Sequence, residues 1–253
     1  MRRSQWILLS TVCGLGFVTA PAFAQDAQPQ ADAAEESAII VTARRQNERL
    51  QDVPASVAVL TTDTLQRTGA VKAEDFVKLT PGITIVTGTA EAGDTQINIR
   101  GINGARDAES SVALVVDGIL KTNTAQLNQP QGTLQQVEML KGPQGAIYGR
   151  NAAAGAIVLQ TLKPTDVLTG AMKASYGQYN SLEATAHIAG PLGENLGFVL
   201  SGYAASTDGF YTNVLTNDKT VDDKENWALD GRLVYGQGTA TQLDMKARYA
   251  KFS

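Results

Sequence analysis

Val137-Glu138-Met139-Leu140-Lys141-Gly142-Pro143-Gln144-Gly145-Ala146-Ile147-Tyr148-Gly149-Arg150-Asn151-Ala152-Ala153-Ala154-Gly155-Ala156-Ile157-Val158 is the stretch whose reading decides the fold. Apolar, β-prone runs flank a centre carrying Gly142, Gly145, Gly149 and Gly155, with Pro143 fixing one turn. Glycines at this density permit positive φ and close backbone approach. Lys141 and Arg150 bracket the loop with positive charge. A glycine-rich loop with a lysine suggests phosphate binding, but no Gly-Lys-Ser/Thr follows and no Gly-x-Gly-x-x-Gly opens a helix. The alternative is a tight structural turn in a small α+β domain.

The start of the chain bears on that choice. Arg2 and Arg3, the apolar run Trp6–Val18 and Ala22-Phe23-Ala24 have the order of a secretory signal cleaved before Gln25. The only cysteine, Cys13, lies inside this run, so the mature chain would have no disulfide despite its oxidising destination. A net charge of −4 gives no basic field for nucleic acid. The single histidine, His187, cannot form a zinc-binding histidine cluster. There is no Gly-x-Ser-x-Gly elbow and no His-Glu-x-x-His, so neither an enzyme nor a cofactor is expected. No mature segment suits a membrane helix, but an exported chain can also cross a membrane with strands.

Residues 25–37 contain no basic residue and little apolar content, the composition of a flexible leader. Ile39-Ile40-Val41-Thr42-Ala43 then turns abruptly β-prone. It suits strand addition to a partner's sheet edge, or it is the first strand of the domain. The residues alone leave both open. Further on, the pattern predicts a strand over Val53–Leu60. A helix capped by Thr62 or Asp63 and ended by Gly69 follows, then a helix over Glu74–Leu79 stopped by Pro81. Strands are expected at Ile83–Val86, at Thr95–Ile99 before Arg100-Gly101, and at Ser111–Val116 before the turn Asp117-Gly118. A short helix over Gln131–Gln136 and a strand over Ala156–Thr161 complete one α+β unit with mixed strands.

Beyond Pro164 the pattern becomes alternation. Met172, Ala174 and Tyr176 alternate with Lys173 and Ser175, and Leu182, Ala184, Ala186 and Ile188 with Glu183, Thr185 and His187. A third run, Phe198–Ala205, alternates more weakly. Trp227, Leu229, Leu233 and Tyr235 alternate with Asp230 and Arg232, and Leu243, Met245, Ala247 and Tyr249 with Asp244, Lys246 and Arg248. These runs are near the ~9–11 residues of a tilted membrane strand, with an apolar face for lipid and a polar face for a wet lumen. The connectors at 177–180, 191–195 and 236–239 are short, whereas 207–225 is long, the asymmetry of an outer-membrane barrel. His187 reads as a lumen-facing residue.

Together these features resemble the TonB-dependent receptors of the Gram-negative outer membrane. The resemblance rests on Ile39–Ala43, similar to a TonB box; on Asn98-Ile99-Arg100-Gly101; on Val115-Val116-Asp117-Gly118-Ile119; and on the opening stretch, similar to the end of a plug domain. It implies an α+β plug (small mixed sheet, short helices) followed by the first antiparallel strands of a transmembrane β-barrel. The expected division is signal 1–24, leader 25–37, TonB-box region 38–48, plug 49–163 and about five barrel strands in 164–253. The implied function is active uptake of a large, scarce nutrient, an iron–siderophore complex first and cobalamin or an oligosaccharide as alternatives. The implied partners are TonB with ExbB and ExbD, and outer-membrane lipid. Arg100, Gly101, Asp117, Glu138, Lys141, Gly142, Gly145, Gly149 and Arg150 become plug-motif residues, some of the basic ones expected to lock onto acids of the barrel wall. The family's barrel has about 22 strands, and Lys251-Phe252-Ser253 lacks the usual terminal aromatic. The chain is therefore expected to be a fragment that does not transport alone. Ligand contacts are expected at 87–94, 103–109 and 122–131.

Overall fold

The computed structural model describes residues 38–42, 44–70, 72–87, 95–103, 109–122, 127, 133–215 and 222–252. The expected signal and leader, Ala43, and most of the three ligand-contact segments lie outside the described residues. Ile39–Ser253 forms one compact unit.

Its first part opens with a two-residue strand, β1 (Ile40–Val41), antiparallel to β2 (Glu48–Arg49). A 3₁₀ turn at Leu50–Asp52 leads into β3 (Ser56–Thr61), later than the Val53 start expected. Helix α1 (Thr62–Thr68) follows without a loop. Its cap is Thr61, one residue before the expected Thr62, and Gly69 ends it at φ 70°. Helix α2 (Ala73–Lys78) starts where the Asp75 carboxylate accepts the Lys72 N–H at 3.1 Å. Strands β4 (Ile83–Thr87), β5 (Thr95–Ile99) and β6 (Ile102–Asn103) form one small sheet. Strands β7 (Val112–Val116), β8 (Ile119–Lys121), β9 (Leu134–Lys141) and β10 (Gly155–Thr161) join β3 in a five-stranded sheet of order β3-β9-β10-β7-β8. Helix α3 (Gly145–Tyr148) links β9 to β10.

The sheet is mixed, since β10 runs parallel to β7 and antiparallel to β9. Both faces are covered. Phe76, Ile99, Met139 and Leu159 belong to one apolar cluster, and Val41, Leu140, Tyr148, Ala156 and Val158 to the other. Burial on both sides explains why Ala156–Leu159 is continuously apolar rather than alternating. The opening stretch is thus two central strands and the short helix between them, with no phosphate-loop geometry. At Gly155 a Cβ would stand 2.2 Å from the Leu140 carbonyl oxygen, so only glycine lets β10 approach β9 there. Asp117 (φ 47°) and Gly118 (φ 83°) make the two-residue turn between β7 and β8.

The helix expected at Gln131–Gln136 is corrected: β9 begins at Leu134. Leu134 and Val137, three apart, fit one turn of a helix. Pairing to β3 on one side and β10 on the other imposes the strand instead.

The second part is an antiparallel meander of β11 (Thr169–Tyr176), β12 (Leu182–Pro191), β13 (Leu196–Thr207), β14 (Lys224–Tyr235) and β15 (Leu243–Phe252). The sheet is open. The β11–β12 and β13–β14 connections leave from one end of the sheet, the β12–β13 and β14–β15 connections from the other. One face carries Met172, Tyr176, Leu200, Leu229, Leu233, Met245 and Tyr249, all exposed. On the other face Val199, Ser201, Tyr203, Ala228, Arg232 and Val234 are buried. An apolar face left bare beside a covered polar one is the inverse of a soluble sheet. Among the described residues no helix is long and apolar enough to cross a membrane, which says nothing of crossing by strands.

Candidate functional site

The Ile39–Thr42 segment lies on the sheet face that carries Leu140 and Val158. Val41 is completely buried among them. Alternation along β9 puts Gln136, Glu138 and Leu140 on this face, and Glu138 is also fully buried. The Thr42 backbone N–H donates to both Glu138 carboxylate oxygens, at 2.9 and 3.0 Å. The Thr42 hydroxyl donates to Glu138 Oε1 at 3.1 Å. Gln136 Nε2 donates to Glu138 Oε1 and to the Ile40 carbonyl, each at 3.0 Å. Gln160 Nε2 donates to Glu138 Oε1 and, at 2.8 Å, to the Thr42 hydroxyl.

No cation reaches the Glu138 carboxylate within ion-pairing distance among the described residues; its partners are neutral donors. Loss of water raises its pKa, opposed by hydrogen bonds from the Thr42 backbone and hydroxyl, Gln160 and Gln136. Nearby, burial first and the Glu138 charge second push the Tyr148 hydroxyl up to about 12, against the Arg45 guanidinium. That guanidinium stands 5.6 Å from the Tyr148 ring centroid.

The second cluster joins the two parts of the molecule. Asp117 Oδ1 accepts the Thr161 N–H at 2.9 Å, and Oδ2 accepts the Thr161 hydroxyl at 2.8 Å. Two cations of the meander close on the same carboxylate. Lys246 Nζ bonds Oδ2, and Arg232 Nη1 lies 3.9 Å from Oδ1. Arg232 also forks onto Asp244, at 3.0 and 2.5 Å, and donates to the Thr161 and Leu162 carbonyls at 3.1 and 3.0 Å. Both Arg232 and Asp117 side chains are less than a tenth exposed. A cavity of about 270 Å³ opens beside this cluster, lined also by Asp230 and Arg248.

Asp117, one of the residues expected to lock, meets the wall here, with the acid on the plug and the bases, Arg232 and Lys246, on the wall. Lys141 instead donates to the Pro81 carbonyl at 2.6 Å, and Arg150 pairs with Glu109 at 3.3 Å, both within the first part. Lys141 ends β9 and Arg150 lies in the connection to β10. Glu138 faces the Ile39–Thr42 segment rather than the wall. Arg100 and Gly101 form the turn between β5 and β6, with the Arg100 N–H on the Gly82 carbonyl at 3.0 Å. Gly142 and Gly149 take positive φ, while Gly145 starts α3. His187 lines a cavity of about 340 Å³ between α1 and β11–β12. No cluster of three or more His, Cys, Asp or Glu is placed to hold a metal among the described residues.

Sequence reasoning passed over Gln136, Gln160 and Thr161, and took Arg232 and Lys246 only as a wetted face. Gln160 carried a faint signal, a polar residue after the apolar run Ala156–Leu159. Its meaning needs the β9–β10 register, which places it opposite Gln136.

A mixed-sheet plug joined by buried charges to strands with an apolar outer face defines a class of outer-membrane protein, a plugged barrel. Residues 49–156 match the family described as TonB-dependent Receptor Plug Domain. The pesticin receptor of Yersinia pestis is 31% identical over 186 residues, covering 72% of this chain and 27% of that protein. The vitamin B12 transporter BtuB of Vibrio vulnificus is 32% identical over 150 residues, covering 58% and 23%. Among solved structures, the ferric yersiniabactin uptake receptor FyuA of Yersinia pestis superposes with a TM-score of 0.71 at 22% identity, covering 78% of this chain and 31% of that one. The chain belongs to the TonB-dependent receptors of the outer membrane. It spans about a quarter of the length of these curated relatives.

Proposed function

We propose that this chain supplies the plug and leading barrel strands of a receptor for TonB-dependent active uptake, with an iron–siderophore complex as the first candidate cargo. In this reading 1–24 direct export and 25–37 tether the segment 38–48. Residues 49–163 block the lumen, and 164–253 begin the wall. Ile39–Ala43 is the handle that TonB, driven through ExbB and ExbD, engages by strand addition. Arg100, Asp117, Glu138, Lys141 and Arg150, with the glycines around them, hold the plug in shape and in register.

The observation that carries the reading is Ile40–Thr42 itself. It is a two-residue strand outside the main sheet, held by hydrogen bonds with Glu138 and Gln136 and by the single buried side chain of Val41, so it can leave without breaking the strand pairing of the sheet beneath. Similarity to a ferric yersiniabactin uptake receptor favours iron. Similarity to a vitamin B12 transporter favours cobalamin as the second reading.

The test is uptake of radiolabelled iron–siderophore by iron-starved cells, with the native gene and with Ile40→Pro, which removes a backbone N–H from the handle. Uptake that depends on the gene and on TonB, and falls at least ten-fold in Ile40→Pro, supports the proposal. Iron uptake independent of the gene, alongside gene-dependent cobalamin uptake, would replace the cargo.

A further inference from the structure

A two-residue strand has two edges, and both edges of β1 are in use. One edge pairs with β2, where Ile40 faces Arg49, Val41 faces Glu48, and the Leu50 N–H reaches the Ile39 carbonyl at 2.8 Å. The opposite edge presents the Ile40 carbonyl and the Thr42 N–H, residues two apart and therefore pointing the same way. Among the described residues no strand lies there. Gln136 donates to the Ile40 carbonyl and Glu138 accepts the Thr42 N–H, so two side chains of β9 satisfy the donor and acceptor that a neighbouring strand would.

We infer that Glu138, with Gln136 beside it, is a built-in surrogate strand that competes with the partner for this edge of Ile40–Thr42. The inference rests on the reading of Ile39–Ala43 as the partner-binding segment and names what keeps that segment closed. Strand addition needs the Ile40 carbonyl and Thr42 N–H free, and a buried carboxylate holding the N–H excludes it. Partner and Glu138 cannot occupy the edge together, so engagement requires the carboxylate to let go. Its bonds come from neutral groups, and Thr42 alone contributes two of its donors. Withdrawal of Thr42 leaves Gln136 and Gln160 still on the carboxylate. The catch can therefore open without stranding a bare charge, which is the costly outcome for a buried acid.

The experiment uses the protein in outer-membrane vesicles, with a thiol at Val41 (Val41→Cys) or, as a control in the same apolar cluster, at Ala113 (Ala113→Cys). Cys13, inside the expected signal, is the chain's only native cysteine. Reaction with a bulky maleimide is timed in otherwise native, Glu138→Gln and Glu138→Ala backgrounds, and capture by the purified periplasmic domain of TonB is measured without cargo. Labelling at Val41 at least ten-fold faster in Glu138→Ala, intermediate in Glu138→Gln and unchanged at Ala113, with cargo-independent capture, is the expected result. Unchanged labelling at Val41 overturns the inference. An equal rise at Ala113 also overturns it, because Glu138 would then only support the fold. Faster Val41 labelling with no TonB capture in any background keeps the catch and removes TonB as the partner.

Discussion

Two carboxylates of the plug each hold an attachment, and they do so by opposite chemistry. Glu138 grips the Ile39–Thr42 segment through neutral donors, Thr42, Gln136 and Gln160. Asp117 grips the barrel wall through two cations, Arg232 and Lys246. Strand β10 lies between them and touches both, Gln160 on Glu138 and Thr161 on Asp117. The β9–β10 register shifts between these two residues, so the ladder is irregular where the two attachments meet. The contrast separates holding from releasing. A buried ion pair fixes register and is costly to split, because each charge is stranded. A carboxylate held by neutral donors keeps part of its solvation shell when one partner leaves.

The largest expected effect tests the ionic side. Arg232→Ala strips Asp244 of its fork and Asp117 of one of its two cations, and should cost about 3 kcal/mol, the low end for breaking a buried pair. A lower urea midpoint for plug–barrel unfolding checks it. A loss no larger than that of an exposed ion pair would erase the distinction between the two attachments.

The neutral side should show itself as a pH slope. Burial raises the Glu138 pKa above its ordinary value of 4.5. A carboxyl whose folded pKa exceeds its unfolded one contributes stability fully present below the unfolded value and lost as pH rises through the folded value. Urea midpoints over a pH series should therefore fall more steeply above pH 4.5 in the native protein than in Glu138→Gln. Parallel slopes would mean that the carboxylate is not desolvated in solution. The smallest effect belongs to Arg150→Ala. Its pair with Glu109 is about two-thirds exposed on both sides, so the loss should stay within about 0.5 kcal/mol and shrink further in salt.

Local signals carried most of the fold. Alternation marked the meander strands, Gly69 and Pro81 punctuated α1 and α2, and Asp117-Gly118 announced its hairpin. The missed strand at Leu134 shows the limit, since its apolar spacing suits a helical turn and only its neighbours β3 and β10 decide otherwise. The site was less legible for the same reason. Glu138 and Asp117 stood out as acids in apolar or turn sequence, but their partners are 96 residues away at Thr42 and 129 away at Lys246. No local pattern encodes such pairings. The family resemblance suggested ion pairs between plug and wall without naming Arg232 or Lys246, and the Asp117 cluster has its acid on the plug.

Binding of the purified periplasmic TonB domain to the protein in outer-membrane vesicles, native against Ile40→Pro and with or without a ferric siderophore, tests the central claim most directly. The expected result is capture that rises with the siderophore in the native protein and disappears in Ile40→Pro. Equal capture by both proteins would contradict it.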